Sequence, residues 1–382
     1  MKSLSQHEFE QMWQVHGYAM LKMDLGVTFP FATTKYWLCS FNDKNWFFTY
    51  ENNVGAMYYS KQEMKLAEYW GRHDFLNSEW LLAYIQKSEE LYRRAGVLFK
   101  KYTSDYLKQL NKDDLYLTVR EVGLTLSDVY AYFNACQPQC VAGLEKDLTA
   151  ELGKSVPPEK IREVLLDLTR SEKRTMLDKE AVDWLKIYSK DYKGIQLDQV
   201  LDKHAKQYGI LGTADDGKYY DVAYYRELYS KTDKAEARKE LEGKMVETRE
   251  IEKRKKRLMN DYELSDHAQR LADIIAVIGH NRFELRLRGW MPLDWWLSAI
   301  LAPYIENRDG LSSALVYQMT FQELLQYLLT GYYDETELQR RKECVVGGMS
   351  AGQVFYRSGD EGRKLAAALV PTVDANIKQL EG

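Results

Sequence analysis

Three arginines in the segment NRFELRLRG, Arg282, Arg286 and Arg288, form the best constellation of polar groups in this chain. A guanidinium carries N–H donors in a flat fork that matches two oxygens of a phosphate or carboxylate. Arg282 and Arg286 lie four residues apart and share one helix face, whereas Arg288 joins them only if the helix unwinds near Gly289. Two readings stand. The arginines form a basic patch that docks a phosphorylated partner domain or a nucleotide, or they make ion pairs with helix acids such as Glu284 or Asp273. The aromatic residues that follow, Trp290, Trp295 and Trp296, suit core or inter-helix packing.

Other reactive residue types are present without a catalytic arrangement. The chain holds six histidines. His7 and His16 lie near the amino terminus, His73 sits beside an expected helix end, and His204 and His267 fall at ordinary helical positions. His280 reads as the end of a helix, where its charged form would favour the carboxy-terminal dipole. The acidic pairs Asp113/Asp114 and Asp215/Asp216 could bind magnesium, but their polar, turn-like surroundings suit turn and cap roles. Cys136 and Cys140 stand one helical turn apart with Pro138 between them. No second Cys/His pair follows to complete the four ligands of a zinc site. No Walker loop, GxGxxG, HExxH or GxSxG string occurs. No catalytic residue and no metal ligand is therefore assigned.

The elements that must position these groups are mostly helices. Scarce Pro (7 residues) with abundant Glu, Lys, Leu and Ala favours long helices. The first sixty residues differ: YWLCSF and NWFFTY read as a hairpin turned at Asn42-Asp43-Lys44, and MYYS adds a further strand. Ser60 with Glu63 starts a helix as a capping box. Asn77 or Ser78 caps the next, carrying Leu81, Leu82, Ile85, Leu91 and Leu98 at helical spacing. Thr118 with Glu121 makes another box, Pro138 closes that helix, and Pro157-Pro158 opens the one after. Thr320 with Glu323 makes a further box, ending at a left-handed Gly331. The run Lys231–Met259 is charged with a narrow apolar stripe, which predicts a projecting antiparallel helix pair. Its EKRKKR string lies among glutamates, so it reads as a solvated face rather than a nucleic-acid contact. Leu264, Ala268, Leu271, Ile274, Ile275 and Ile278 define one apolar helix face. GGMSAG, Gly347–Gly352, reads as the loop between the strands CVV and QVFYR. The fold expected is mainly α, a multi-helix body with a small amino-terminal β-containing cap (1–60) and a short carboxy-terminal β hairpin. Between them lie a helical domain (61–230), the charged projection (231–260) and a helical linker-like domain (261–382).

Composition sets the outer limits. A chain of 382 residues, 45% hydrophobic and 29% charged, can bury a large core and is not disordered throughout. A net charge of -4 gives no general attraction to nucleic acid or to anionic membrane. The longest apolar run, near Trp295–Ile305, is broken by Ser298 and Pro303 and falls short of the ~20 residues of a membrane helix. No signal core precedes the first elements, so the expected location is the cytoplasm.

From Leu264 onward the order of segments is specific: LADIIAVIGHNRFELRLRGW, MPLDWWLSAILAPYI, YQMTFQELLQYLLTG, DETELQRRKE, the strands CVV and QVFYR, GDEGRKLAAALV and finally IKQLEG. This succession resembles the helical linker region of phosphoenolpyruvate-utilising phosphotransferases, the family of phosphoenolpyruvate synthase and pyruvate phosphate dikinase. A less specific similarity extends from about Phe41 to Ser230 and includes HAKQYGILGTADDGKYYDVAYYREL. The resemblance implies a helical frame that positions nucleotide-binding and phosphohistidine domains supplied by other chains. The family's phosphohistidine lies in a pattern like GGxxSH, and GGMSAG has no histidine. ATP and magnesium are implied for a complete family member and no cofactor for this chain. Alone, the chain is expected neither to hydrolyse ATP nor to be labelled by phosphoenolpyruvate. In relatives a swivelling domain follows the segment matching IKQLEG, which implies that 371–382 is an extended connector after a helix at Gly359–Val370. The alternative is a non-enzymatic helical scaffold for protein interactions.

Overall fold

Side-chain caps set where most of the helices begin. In the structure, a computed structural model, the described residues are 4, 8–16, 19–29, 45–215, 218–231 and 233–370. Strand β1 (Phe9–His16) leads to a short helix α1 (Met20–Met23), which widens into a π turn over Asp24–Thr28. Strands β2 (Asn45–Glu51) and β3 (Val54–Ser60) follow. Then come helices α2 (Lys61–Leu76), α3 (Ser78–Lys101), α4 (Lys112–Ala135), α5 (Pro138–Leu152) and α6 (Ile161–Thr169). They are succeeded by α7 (Met176–Tyr188), α8 (Gly194–Tyr208), α9 (Val222–Lys231), α10 (Lys234–Asp261) and α11 (Asp266–Glu284). The chain runs on from α11 through a π turn, Leu285–Trp290, into α12 (Met291–Trp296), then a second π segment, Leu297–Leu301, and α13 (Ala302–Asp309). Helices α14 (Phe321–Thr330) and α15 (Glu335–Glu343), strands β4 (Cys344–Ser350) and β5 (Gln353–Ser358), and helix α16 (Gly359–Leu369) complete the order. The fold is mainly helical, with strands near the amino end and a carboxy-terminal strand pair.

The caps at Ser60, Asn77 and Thr320 act as their residue types predict. Ser60 Oγ accepts from Glu63 N, and Asn77 Oδ1 from Glu79 N and Trp80 N. Thr320 and Glu323 form a full capping box, and Gly331 ends α14 at φ 76°. Thr118 and Glu121 instead lie inside α4, whose first turn is capped by Asn111 through Asp114 N. A Ser/Thr-x-x-Glu spacing recurs inside helices, and here the chain upstream of Thr118 is already helical. Pro138 opens α5 at its first turn, where a missing N–H costs nothing. Thr175 and Asp178 form a capping box for α7 that the sequence reading passed over.

The strands join into one antiparallel sheet, in the order β1-β3-β2-β4-β5. The amino-terminal hairpin is β2–β3, turned at Asn52 and Asn53, both with positive φ. Asparagine tolerates that left-handed backbone, which a two-residue hairpin turn requires. The other expected strand, YWLCSF, and the turn at Asn42-Asp43-Lys44 lie outside the described residues. β2 then pairs with β4, so the amino-terminal strands and the carboxy-terminal hairpin share a sheet. GGMSAG is not a loop. Gly347 and Gly348 sit within β4 opposite Phe48 and Phe47, and the turn falls at Ala351-Gly352. A Cβ on Gly347 would lie 2.5 Å from the Tyr356 ring and 2.6 Å from Phe48, and one on Gly348 would lie 2.3 Å from the Trp46 carbonyl oxygen. Gly347 makes room for the aromatic rings of neighbouring strands, and Gly348 for the close approach of the β2 backbone.

The chain divides into two compact units, each built from segments distant in sequence. The first comprises Met1–Gly71, Leu98–Ala135 and Trp296–Gly382. It holds the sheet, one face of which packs Phe9, Phe47, Tyr58 and Val346 against Leu365, Ala366 and Leu369 of α16. The helix expected at Gly359–Val370 is thus present as α16, and the connector expected over 371–382 lies outside the described residues. The second unit comprises Arg72–Val97 and Cys136–Trp295. Its core includes an aromatic cluster of Trp184, Tyr188 and Tyr225 with Leu185 and Leu201, and the buried face of α11 with Leu271, Ile274, Ile275 and Ile278. The charged run expected to project as a helix pair is the single helix α10, laid along α6 and α7. Arg254 reaches Glu163 and Asp167 of α6, so its charges serve ion pairs between helices as well as solvent. No helix among the described residues is long and apolar enough to cross a membrane.

Candidate functional site

Two places gather buried ionisable groups, one in each unit. In the first, Asp24 is 4% exposed. Its Oδ2 accepts from Phe321 N at 2.7 Å, at the start of α14, and its Oδ1 accepts from the Tyr356 hydroxyl of β5 at 2.7 Å. Burial pushes the Asp24 carboxyl up to about 6, although both hydrogen bonds oppose the shift. Beside it, Arg341 donates to both oxygens of Glu323 (2.6 and 3.0 Å), to Glu337 (2.9 Å) and to the Gln318 carbonyl (3.1 Å). Burial raises the Glu323 carboxyl, but Arg341 and Thr320 outweigh it and hold the group below the usual carboxylate range. Each group has a partner, and the network ties the sheet to α14, α15 and the π turn after α1. It is a structural lock.

The second place is left open. Viewed along α11, Leu271, Ile274, Ile275 and Ile278 point into the core, while Gln269, Asp273, Ala276, Val277 and His280 line a trough of about 1130 Å³. The 3.6-residue period puts these two sets on different faces of one helix. Ile85, Glu89 and Tyr92 of α3 form one wall; Glu252, Lys255, Lys256 and Met259 of α10 form another. The link between α6 and α7 contributes Glu172, Lys173 and Arg174, and Lys179 comes from α7. At the far end stand Glu284 and Arg288.

Glu284 is 2% exposed and ties this end of the trough together. Its Oε1 accepts the first helical N–H of α7, from Met176 at 2.9 Å, and its Oε2 accepts from Arg288 at 2.8 Å. A carboxylate at a helix amino terminus satisfies an orphan donor and matches the dipole. The Arg288 guanidinium also lies over the Tyr92 ring, 4.4 Å from its centroid. Lys255 is 8% exposed and lies 3.7 Å from Glu172.

His280 is the odd member. Its Nδ1 is buried with no hydrogen-bond partner among the described residues. Burial lowers its pKa, with the charges of Lys173 and Lys179 acting in the same direction and those of Glu284 and Asp178 opposing. The imidazole is therefore neutral near pH 7. It does not end a helix as its neighbours in sequence suggested: the chain stays helical through the π turn Leu285–Trp290, so no carboxy-terminal dipole faces it.

Of the three arginines singled out by sequence, Arg288 stands apart from Arg282 and Arg286. Arg288 lines the trough and pairs with Glu284. Arg286 is exposed, without a hydrogen bond or ion pair among the described residues, and Arg282 is near enough for like-charge repulsion. The helix widens rather than unwinding near Gly289. Of the other histidines, His16, His73 and His267 are exposed, and His204 is buried with Nε2 3.0 Å from Glu180 Oε1 among the rings of Trp184, Tyr208 and Tyr225. His7 lies outside the described residues. Asp113 and Asp114 occupy the first turn of α4, a cap role, and Asp216 is outside the described residues. Cys136, Cys140 and Cys344 are buried free thiols, and Cys39 falls outside. No group of three or more potential metal ligands occurs among the described residues.

Sequence reasoning missed the trough because its walls come from α3, α10 and the α6–α7 link as well as α11. The available signal was the polar stripe Gln269, Asp273, His280 and Glu284, spaced by four or seven residues along one side of α11. No protein-family model and no curated protein sequence matches this chain.

Proposed function

We propose that this chain is a helical scaffold whose working site is a small-molecule trough on the polar face of α11. One observation carries the reading: a cavity of about 1130 Å³ is lined by charged side chains and by one neutral imidazole, His280, that keeps a buried ring nitrogen without a partner. A buried unpaired polar group costs about 1–3 kcal/mol, which a bound ligand with a complementary group recovers. The volume is slightly above the roughly 300–1,000 Å³ of ordinary ligand sites. The test is melting of the whole chain with and without a low-molecular-mass metabolite fraction. The reading requires a fraction that raises the melting temperature of the wild type. It also requires that Val277→Trp, which fills the trough, abolish the rise while keeping its own transition. A rise retained in Val277→Trp moves the site elsewhere.

A second reading is the one implied by the carboxy-terminal resemblance, a frame that docks phosphotransferase domains of other chains. Exposed Arg286 beside Arg282 supports it, since an unpaired guanidinium suits a phosphorylated surface. A phosphohistidine domain supplied in trans should bind the wild type and not Arg282→Glu/Arg286→Glu. Equal binding to both would remove this reading.

A further inference from the structure

We propose that the trough binds a small organic oxyanion carrying at least two negative charges, held by Lys173 and Lys179 at its edge and by the His280 imidazole in its wall. This rests on the trough being a ligand site, and it goes further by fixing the ligand's chemistry. The argument is one of charges left over. Four of the acids lining the trough have a cation of their own. Glu284 has Arg288 and the Met176 N–H, Glu172 has Lys255, Glu252 has Lys256, and Glu89 has Arg93. Asp273, the remaining acid, has Lys255 as its nearest charge influence. The cations are not all used in return.

Lys173 and Lys179 are exposed, and their ammonium groups make no hydrogen bond or ion pair among the described residues. Both act electrostatically on His280, opposed by Glu284 and by Asp178, whose carboxylate is spent on capping Thr175, so two ammonium groups without an ion pair lie near a buried ring nitrogen that lacks a partner. A cationic ligand would be repelled there, and an uncharged one would leave both lysines unused. Two ammonium groups, with an imidazole whose Nδ1–H tautomer can donate, call for several acceptor oxygens and two charges. A phosphomonoester and a polycarboxylate both offer that chemistry. The wall opposite, with Ile85, Tyr92 and Met259, gives apolar area for a short carbon body.

The experiment is isothermal titration of the whole chain, at low ionic strength in a buffer free of phosphate, with glycerol 3-phosphate, citrate and glycerol. The expected result is one-to-one binding of at least one anion and none of glycerol; the tighter anion identifies the phosphate or the carboxylate source. Lys173→Gln/Lys179→Gln should weaken that binding at least tenfold, and because both positions are exposed its melting temperature should match the wild type. His280→Phe should weaken it as well. Glycerol binding as tightly as the anions, or an unchanged affinity in the double lysine variant, overturns the inference. If neither anion binds but a metabolite fraction still protects the wild type and not Val277→Trp, only the charge assignment falls. If no fraction protects either, the trough reading falls with it.

Discussion

The lock around Asp24 and the trough around His280 start from the same material, buried ionisable side chains facing helix ends, and differ in how far their bonds are completed. In the first unit, every charged member of the network, Asp24, Glu323 and Arg341, is hydrogen-bonded, between them to Phe321, Tyr356, Thr320, Glu337 and Gln318. In the second, Glu284 is equally well held, yet four residues earlier on the same helix face His280 is not. A network whose charged groups are all paired has little left to offer a ligand, and its value is in fixing elements to one another. An unsaturated one costs stability, so its presence points to a use outside the isolated fold.

The comparison is broken most forcefully at Arg341. Arg341→Met leaves the carboxylates of Glu323 and Glu337 without their shared cation, and chemical denaturation should show a loss of about 3 kcal/mol. A loss below about 1 kcal/mol would mean that the network is not a lock.

Asp24→Asn should act in the opposite direction at neutral pH. The folded carboxyl is raised to about 6 from the 3.8 of an unperturbed aspartate. The native state therefore holds its proton more tightly than the unfolded chain does. Stability from this group is complete below the unfolded value and is lost as pH rises through about 6. Asparagine mimics the protonated form, so the variant should be more stable than wild type at pH 8 by on the order of 2 kcal/mol. The gap should close towards pH 4. A variant less stable than wild type at pH 8 would show that the ionised carboxylate is the better partner for Phe321 N and Tyr356.

Smaller effects sharpen the contrast. Thr320→Ala removes one half of the α14 capping box and should cost about 1 kcal/mol, read as a lower denaturation midpoint with an unchanged slope. His280→Phe removes a polar group that has lost its hydrogen bond to water and gained none. It should be neutral or stabilising by up to about 1 kcal/mol, the reverse of every deletion in the lock except Asp24→Asn. If His280→Phe costs as much as Arg341→Met, His280 belongs to the structural framework and the contrast between the two regions disappears.

Much of the fold was legible because it is locally encoded. Ser60, Asn77 and Thr320 each cap the helix their spacing announces, and Gly331 stops α14 as a left-handed residue. What escaped was long-range. Nothing in NWFFTY or CVVGGMS states that Phe47 will face Gly348, so two hairpins read as separate share one sheet. The same limit applied to α10, whose Lys255 and Arg254 look like solvated charges until Glu172, Glu163 and Asp167 come into range. The site followed the same rule. Arg288 was visible as a phosphate-binding type, while Lys173 and Lys179 acquire meaning only when the α6–α7 link is folded beside His280.

The most direct test of the trough as an oxyanion site is the imidazole nitrogen spectrum of the chain labelled with 15N-histidine, followed during titration with glycerol 3-phosphate and, separately, citrate. One histidine, identified by its absence in His280→Phe, should show a neutral ring at pH 7. Its Nδ1 resonance should shift and saturate at one equivalent of an anion, while the exposed histidines stay still. Saturable anion binding with that resonance unmoved would contradict the account.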